Sequence, residues 1–131
     1  MHIPHVINGR TGYGTDIDAF DHIVGIARNE FKDTNIFIAA DHGNMNGMKG
    51  KISYGHDVYE TAVNIPLIAP RIDEKRIIDN LVSNIDISTI IFERKIPERD
   101  VVYSDSTFYA QPNRKLAIIT KDYKYIYNKH S

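Results

Sequence analysis

"NIFIAADHGNMNG", residues 35 to 47, joins a buried-strand pattern to two potential metal ligands. The apolar residues Ile36 to Ala40 follow one another without a polar interruption, as in a strand covered on both faces. Asp41, His42 and Gly43 come next, and glycine lets a backbone turn sharply. In open α/β sheets, ligands bind beyond the carboxyl ends of strands. The stretch therefore predicts that Asp41 and His42 lie in a binding crevice.

The segment before this strand has helical periodicity. Its apolar residues recur at steps of three and four, forming one stripe: Ile17, Phe20, Ile23, Val24, Ala27 and Phe31. Thr15 with Asp18 resembles a capping box. We expect an amphipathic helix over Asp16–Phe31.

The segment after the strand predicts a loop, a second strand and further helix. Residues 41 to 59 are rich in Gly, Asn and Lys and indicate a long loop. Residues 64 to 69 of "AVNIPLIAP" form a second apolar strand pattern. "EKRIIDNLVSNIDISTIIFE", residues 74 to 93, has helical spacing, which we interpret as two short helices meeting at Asp86 or Ser88. Alternating helix and strand predicts an α/β layer, with Ile36–Ala40 and Ile65–Ala69 in one parallel or mixed sheet.

The last third of the chain predicts antiparallel strands. "DVVYSDSTFYA" and "KLAIITKDYKYIYN" are rich in β-branched and aromatic residues, and Lys121-Asp122 lies where a tight turn would join two strands. "FERKIPERD" resembles a linker. We therefore divide the chain into an α/β part, residues 1 to 95, and a small antiparallel β subdomain, residues 96 to 131.

Composition narrows the classes of function. A chain of 131 residues has the size of one domain, and its formal charge of −1 favours neither nucleic acid nor an anionic membrane. With no cysteine, metal ligands are limited to oxygen and imidazole groups. We find no signal-peptide pattern in the sequence. No apolar run approaches the ~20 residues that a membrane helix needs. We therefore expect a cytoplasmic protein if the chain is expressed alone.

Asp41 and His42 admit two interpretations. A carboxylate beside an imidazole suits a divalent cation such as Ca²⁺, Mn²⁺ or Zn²⁺. Alternatively, Asp41 caps a turn and His42 is an ordinary polar residue, which is the commoner case for an isolated Asp-His pair. The pair alone leaves both interpretations open.

A longer series of motifs resembles the later part of the sulfatase family, within the alkaline phosphatase superfamily. The matching pieces, in order, are His2-Ile3-Pro4, Tyr13 with Asp21, Asp41-His42-Gly43, His56, Tyr59-Glu60, "VNIPLI" and "LVSNIDIS". The tail "PNRKLAIITKDYKYIYN" is similar to the hairpin that closes these enzymes. The resemblance covers nearly the whole chain. It implies a partial alkaline-phosphatase-like layered sheet with flanking helices, followed by the small antiparallel unit.

The resemblance also implies site residues. Asp41 and His42 match the metal-ligand pair, and His2 and His56 match histidines that contact the sulfate or phosphate group. Since His56 lies closer to Tyr59-Glu60 than the family pattern requires, Lys49 and Lys51 are alternatives. The expected cofactor is a divalent metal, with Ca²⁺ first and Mn²⁺, Zn²⁺ or Mg²⁺ as alternatives, and this chain alone is not expected to retain it.

The family's nucleophile is missing from these residues. Sulfatases use a Cys or Ser converted to formylglycine in a Cys/Ser-x-Pro-x-Arg motif, and the chain contains neither cysteine nor that motif. We therefore expect the C-terminal portion of a larger enzyme, inactive by itself. It would be a piece of a longer chain, a truncated gene product or one half of a split protein.

Two classes of function follow as expectations. The first is a metal-dependent hydrolase of sulfate esters, small molecules or glycans; its relatives act on phosphate esters or transfer phosphoglycerol or phosphoethanolamine. Asn44 after Asp-His-Gly slightly favours phosphate. The second class is a non-catalytic remnant that binds another chain through an uncovered sheet edge. That chain would be the missing N-terminal half or a second copy.

Overall fold

The structure, a computed structural model, describes residues 13–51, 54–70, 77–106 and 114–129. The side chains of residues 13 to 15 lie outside this description. The chain divides into two compact units, Met1–Ile36 and Phe37–Ser131, and each is described by itself. The predicted division near residue 95 stays a prediction.

The first unit contains one helix, α1, over Tyr13–Glu30. The predicted helix over Asp16–Phe31 is confirmed, but it begins three residues earlier than expected, so Thr15 lies inside the helix and is not its cap. Helix ends vary by a residue or two around such signals, and nothing at Tyr13 or Gly14 blocks helical backbone as a proline would. At the other end, the Phe31 amide donates to the Ala27 carbonyl at 2.9 Å before the chain turns.

The two predicted apolar strands pair with each other. Strand β1, Ile38–Ala39, lies antiparallel to β2, Leu67–Ile68, with Ile38 opposite Ile68 and Ala39 opposite Leu67. The prediction of a parallel arrangement is wrong for this pair. A parallel pair needs a crossover connection, which is usually an α-helix that returns the chain across the sheet. The described helix between these strands, α2 over Glu60–Val63, has only four residues.

The strands are also shorter and less covered than their apolar sequences predict. Each has two residues, although the Ala40 amide extends the pairing to the Pro66 carbonyl at 3.3 Å. Ile68 is 56% exposed, and Ala39 is exposed as well. Burial on both faces is therefore wrong for β1 and β2: Ile38 and Ile68 share one face of the ribbon and Ala39 and Leu67 share the other, so each face contains an exposed residue.

The predicted loop, residues 41 to 59, contains much of the interior. It includes one 3₁₀ turn, Met48–Gly50, in which Lys49 has a left-handed φ of 53°. Met45 and Val58 are almost completely buried, at 1% and 0% exposure. The Thr61 hydroxyl contacts the Met45 sulfur at 3.4 Å. The loop is irregular in backbone and still supplies core side chains.

The third helical segment is shorter than predicted. Residues 77 to 83 are not helical, and a 3₁₀ turn over Asn84–Asp86 leads into helix α3, Ile87–Glu93. Helix over 77 to 83 is therefore a wrong prediction, and residues 74 to 76 lie outside the described part. The Ser83 amide donates to Asp86 Oδ2 at 2.9 Å, the reciprocal half of a capping box, so the helical backbone begins after Ser83.

The predicted C-terminal antiparallel strands are confirmed. Strands β3 (Val102–Ser106), β4 (Arg114–Ile119) and β5 (Lys124–Lys129) form one sheet in the order β3-β4-β5, with both pairs antiparallel. The Thr120 amide donates to the Tyr123 carbonyl at 2.8 Å, closing the turn predicted at Lys121-Asp122.

The described chain is thus mixed α/β, with three α-helices and two small antiparallel sheets. Its buried apolar residues are few: Met45, Val58, Ala62, Ile90 and Ala117. None of the helices in the described ranges has the length and apolar character needed to cross a bilayer.

Candidate functional site

Strand β1 places Asp41 and His42 directly after its last paired residues, and local contacts fix the His42 ring. Its Nδ1 is 2.9 Å from the Gly43 carbonyl, and the ring stacks on Tyr54 with centroids 4.0 Å apart and planes 18° apart. A carbonyl can only accept, so Nδ1 carries the proton and Nε2 is the basic nitrogen. Metal-binding histidines characteristically donate their second nitrogen to a carbonyl or carboxylate in this way.

Asp41 and His42 present two ligand atoms at a spacing that suits a metal. Asp41 Oδ1 accepts the His42 amide at 2.9 Å, and Oδ2 lies 3.7 Å from His42 Nε2. Two ligand atoms at about 2.1–2.2 Å from one cation with a tetrahedral angle lie about 3.4–3.6 Å apart. The pair can therefore chelate one divalent cation after a small side-chain adjustment. The hydrogen bond from the His42 amide is a local contact, which also agrees with the simpler interpretation that Asp41 is a turn residue.

Gly43 is required by a close approach between two backbone segments. A Cβ added at Gly43 would lie 2.0 Å from the Thr61 carbonyl oxygen. The Gly43 amide donates to the Ala62 carbonyl at 2.9 Å, which closes residues 43 to 62, here named the site loop, at its base. Gly43 is not one of the described glycines with positive φ, which are Gly47, Gly50 and Gly55. Gly43 therefore does not use the left-handed backbone that favours glycine, and steric exclusion explains the residue.

Asn84 holds the backbone of the predicted metal ligand. Its side-chain amide donates to the Asp41 carbonyl at 3.1 Å and lies 3.5 Å from the Ala40 carbonyl. Asn84 follows Ser83 at the start of the helical segment, so the "LVSNIDIS" motif contacts the Asp-His-Gly motif directly. The contact holds the Asp41 backbone carbonyl at the end of β1.

Asp86 and Arg99 fix the segment that carries Asn84. Arg99 Nε donates to Asp86 Oδ2 at 2.8 Å and its Nη2 donates to Oδ1, while the Asp86 side chain is only 4% exposed. The Arg99 hydrogen bond lowers the pKa of Asp86 despite its burial and raises the pKa of Arg99. The bidentate pair therefore has a structural role in supporting the site.

Asp57 is a second buried carboxylate, and it lies in the site loop. Its side chain has 0% exposure, and its Oδ2 accepts hydrogen bonds from both Lys51 and Lys115, the latter at 2.6 Å. Burial would raise the pKa of Asp57, but the two ammonium groups outweigh burial and lower it. The hydrogen bond to Asp57 raises the pKa of Lys51. Asp57 is therefore ionised at neutral pH.

A cavity of about 870 Å³ brings these groups to a common space. Its polar lining includes Asp41, His42, Tyr54, Asp57 and Asn84. Its apolar lining comes from β2, from residues 77 to 82 and from β3. A volume of this size accommodates a small organic molecule.

His56 does not line this cavity, although Tyr54, Gly55 and Asp57 do. His56 is half-buried, and its role in contacting an ester remains a prediction. His2 lies outside the described residues. Of the alternatives, Lys51 is paired with Asp57, and the Lys49 ammonium lies 4.1 Å from the centre of the Tyr59 ring. No group of three or more His, Asp or Glu side chains suited to a metal occurs within the described ranges.

Sequence reasoning missed four residues of the site: Tyr54, Asp57, Asn84 and Lys115. Each of them either contacts a partner distant in sequence or depends on the conformation of the loop. Lys115 and Asp57, for example, are 58 positions apart. The one available signal was Asn84 inside the "LVSNIDIS" motif.

Comparison with protein-family models, curated proteins and solved structures found no match for this chain.

Proposed function

We propose that this chain forms the metal- and ester-binding portion of a sulfatase-like hydrolase. In this proposal Asp41 and His42 bind a divalent cation, Ca²⁺ first, and the adjoining cavity receives a sulfate ester. The fold would be the C-terminal part of an alkaline-phosphatase-like layered domain. The cation would polarise the sulfate oxygens and stabilise the charge that develops on them.

The Asp41–His42 geometry is the observation that carries the proposal. The His42 ring is fixed by the Gly43 carbonyl and by Tyr54, and its basic nitrogen lies 3.7 Å from Asp41 Oδ2. Both side chains border the cavity. An ordinary surface Asp-His pair needs neither a fixed ring nor a backbone support such as Asn84.

The exposure of β1 and β2 also supports membership of a larger assembly. Both strands have continuous apolar sequences, yet Ile68 is 56% exposed and Ala39 is exposed. Strands with such sequences occur mainly in sheets that are covered on both faces. Further protein packed against these strands would bring the additional carboxylates that a calcium shell of six to eight oxygens requires.

Sulfate is preferred to phosphate because Asn44 has a local role. In the sequence, Asn44 slightly favoured a phosphate substrate. In the structure, its Oδ1 accepts a hydrogen bond from the Asn46 amide at 3.0 Å. A side chain bonded two residues ahead stabilises a turn and needs no ligand to explain it. Asn46 itself has a left-handed φ of 47°, which such a turn accommodates.

A manganese titration tests the metal site. Mn²⁺ broadens NMR signals of nearby nuclei, so we expect selective broadening at residues 41 to 43 and Tyr54. Asp41→Asn should abolish this effect, whereas Asp122→Asn, an exposed aspartate in the β4–β5 turn, should preserve it. Broadening that is uniform, or that survives in Asp41→Asn, would contradict the proposal.

An activity assay tests the missing nucleophile. Because the chain contains no cysteine and no Cys/Ser-x-Pro-x-Arg motif, turnover of aryl sulfates and aryl phosphates by these residues alone should stay at background with any divalent metal. Metal-dependent turnover that disappears in Asp41→Asn would show that the chain contains its own nucleophile.

The second candidate function is binding of another chain through the C-terminal sheet. Among the described residues, β3 and β5 are edge strands. Tyr103 and Tyr125 flank Ile118 across one face of the sheet, and both tyrosines are more than 60% exposed. Sedimentation of the chain over a range of concentrations tests self-association, which Tyr125→Lys should weaken if this face is the interface.

A further inference from the structure

The buried Asp57 carboxylate links the site loop to the C-terminal sheet. Lys115 belongs to β4, the central strand of that sheet, and its ammonium lies 2.6 Å from Asp57 Oδ2. The Lys115 side chain is 15% exposed and that of Asp57 is 0% exposed. A charge in such surroundings is costly unless it is paired, so this contact constrains both segments strongly.

The backbone of Lys115 is itself held in place. Lys115 lies opposite Ser106 in the β3–β4 register, and its amide is 3.2 Å from the Ser106 hydroxyl oxygen. Ser106 is only 6% exposed. The lysine therefore extends from a fixed point of the sheet toward the loop, in contrast to a surface lysine that adapts to its partner.

A second lysine of the sheet contacts Glu60, which lies three residues after Asp57 in the site loop. The Lys124 ammonium of β5 lies 2.7 Å from Glu60 Oε1. Since Glu60 is 63% exposed, this ion pair is screened by solvent and contributes less than the Lys115–Asp57 pair. Tyr59 lies between Asp57 and Glu60 in the sequence, and the centre of its ring is 5.5 Å from the Lys115 ammonium.

Asp57 is close in sequence to the residue that supports the predicted metal ligand. Tyr54, three residues before Asp57, stacks on the His42 ring. The Asp57 Oδ1 also accepts the Val58 amide at 3.3 Å, and Val58 is completely buried. Displacement of Asp57 would thus be transmitted to Tyr54 over three residues of half-buried backbone.

We propose that Lys115 is a positioning residue, which binds Asp57 and thereby holds Tyr54 against His42. Its effect on metal or ester binding rests on the proposed function, whereas its effect on the His42 ring does not. The C-terminal sheet is therefore part of the apparatus that orients the site. Lys51 shares the same carboxylate, but it belongs to the loop and cannot fix the loop to the sheet.

The test compares Lys115→Met with three variants of the full chain by NMR and hydrogen exchange. Methionine keeps the apolar stem and removes the charge. Lys115→Arg keeps the charge, Lys121→Met removes a charge from the exposed β4–β5 turn, and Ala117→Gly weakens the same strand without touching Asp57.

We expect Lys115→Met to increase amide exchange at residues 54 to 58 at least about tenfold and to shift the His42 ring signals as the Tyr54 stack is lost. Lys115→Arg should restore both readouts, and Lys121→Met should change neither. Ala117→Gly should lower global stability and leave the His42 signals in place. Unchanged His42 signals in Lys115→Met, or an equal shift in Ala117→Gly, would overturn the proposal.

The manganese titration separates this inference from the proposed function. If Mn²⁺ fails to bind the unmodified chain but Lys115→Met still releases the His42 ring, the positioning role stands and the metal site fails. If Mn²⁺ binds and Lys115→Met leaves the His42 ring signals unchanged, the metal site stands and the positioning role fails.

Discussion

Replacing Gly43 by alanine should destabilise the base of the site loop more than any other Gly→Ala change in the described part of the chain. The added Cβ would lie 2.0 Å from the Thr61 carbonyl oxygen, 2.9 Å from the Thr61 carbonyl carbon and 3.1 Å from the Ala62 Cα. These neighbours are backbone atoms and cannot rotate away. Two segments must therefore separate by more than about 1 Å to reach ordinary contact distances.

The expected decrease in the free energy of unfolding combines two destabilising effects with one stabilising effect. Overpacking of this kind costs about 1–3 kcal/mol. Separation of the segments also weakens the 2.9 Å hydrogen bond from Gly43 to Ala62, which contributes about 0.5–1.5 kcal/mol. Alanine also lowers the conformational entropy of the unfolded chain, which stabilises the folded state by about 0.4–1 kcal/mol. The net decrease in the free energy of unfolding should be about 2 kcal/mol, within a range of about 0.5–4 kcal/mol.

Urea denaturation followed by far-ultraviolet circular dichroism measures this loss, with two glycines as controls. Gly47 has a φ of 83° and nothing within 4 Å, so Gly47→Ala carries backbone strain of about 1–2 kcal/mol without a clash. Gly25 lies inside α1 with nothing within 4 Å, so Gly25→Ala should stabilise the helix by about 0.5–1 kcal/mol. If Gly43→Ala unfolds at the same urea concentration as Gly47→Ala, or a higher one, the steric explanation of the Asp-His-Gly glycine is refuted.

Three further predictions use the same denaturation assay. Arg99→Met should lower the free energy of unfolding, because it leaves the buried Asp86 carboxylate without its guanidinium partner, while Arg28→Met on the exposed surface of α1 should change it little. Asn84→Ala should cost about 1 kcal/mol and shift the backbone signals of Asp41, whereas Asn80→Ala should do neither. Folding lowers the pKa values of Asp57 and Asp86, so the unfolded chain binds more protons than the folded chain at acidic pH. The stabilisation from these two carboxylates should therefore be complete above the ordinary aspartate pKa of about 3.9 and should decrease as pH falls below it. The decrease should be less steep in Asp57→Asn, which removes one of the two groups. A slope against pH that is unchanged in Asp57→Asn would show that Asp57 is not held ionised by its lysines.

The sequence by itself determined the elements whose stability is local. Helix α1 follows from an apolar stripe at steps of three and four, and the β4–β5 hairpin follows from β-branched and aromatic residues around a short turn. Their hydrogen bonds join residues near one another in the chain, so a window of sequence contains most of the information. The same applies to the position of β1 immediately before Asp41 and His42.

Tertiary structure alone decided how these elements are arranged and supported. Two apolar strands have the same sequence pattern whether they pair parallel or antiparallel, and the short α2 helix between β1 and β2 is compatible with the antiparallel pairing that is observed. Asp57 resembles an ordinary loop aspartate until Lys115 approaches it from a strand 58 residues away. Gly43 resembles a turn residue until Thr61 is seen beside it. Burial of a charge and steric exclusion of a side chain depend on which distant atoms are neighbours, and that information belongs to the folded chain as a whole.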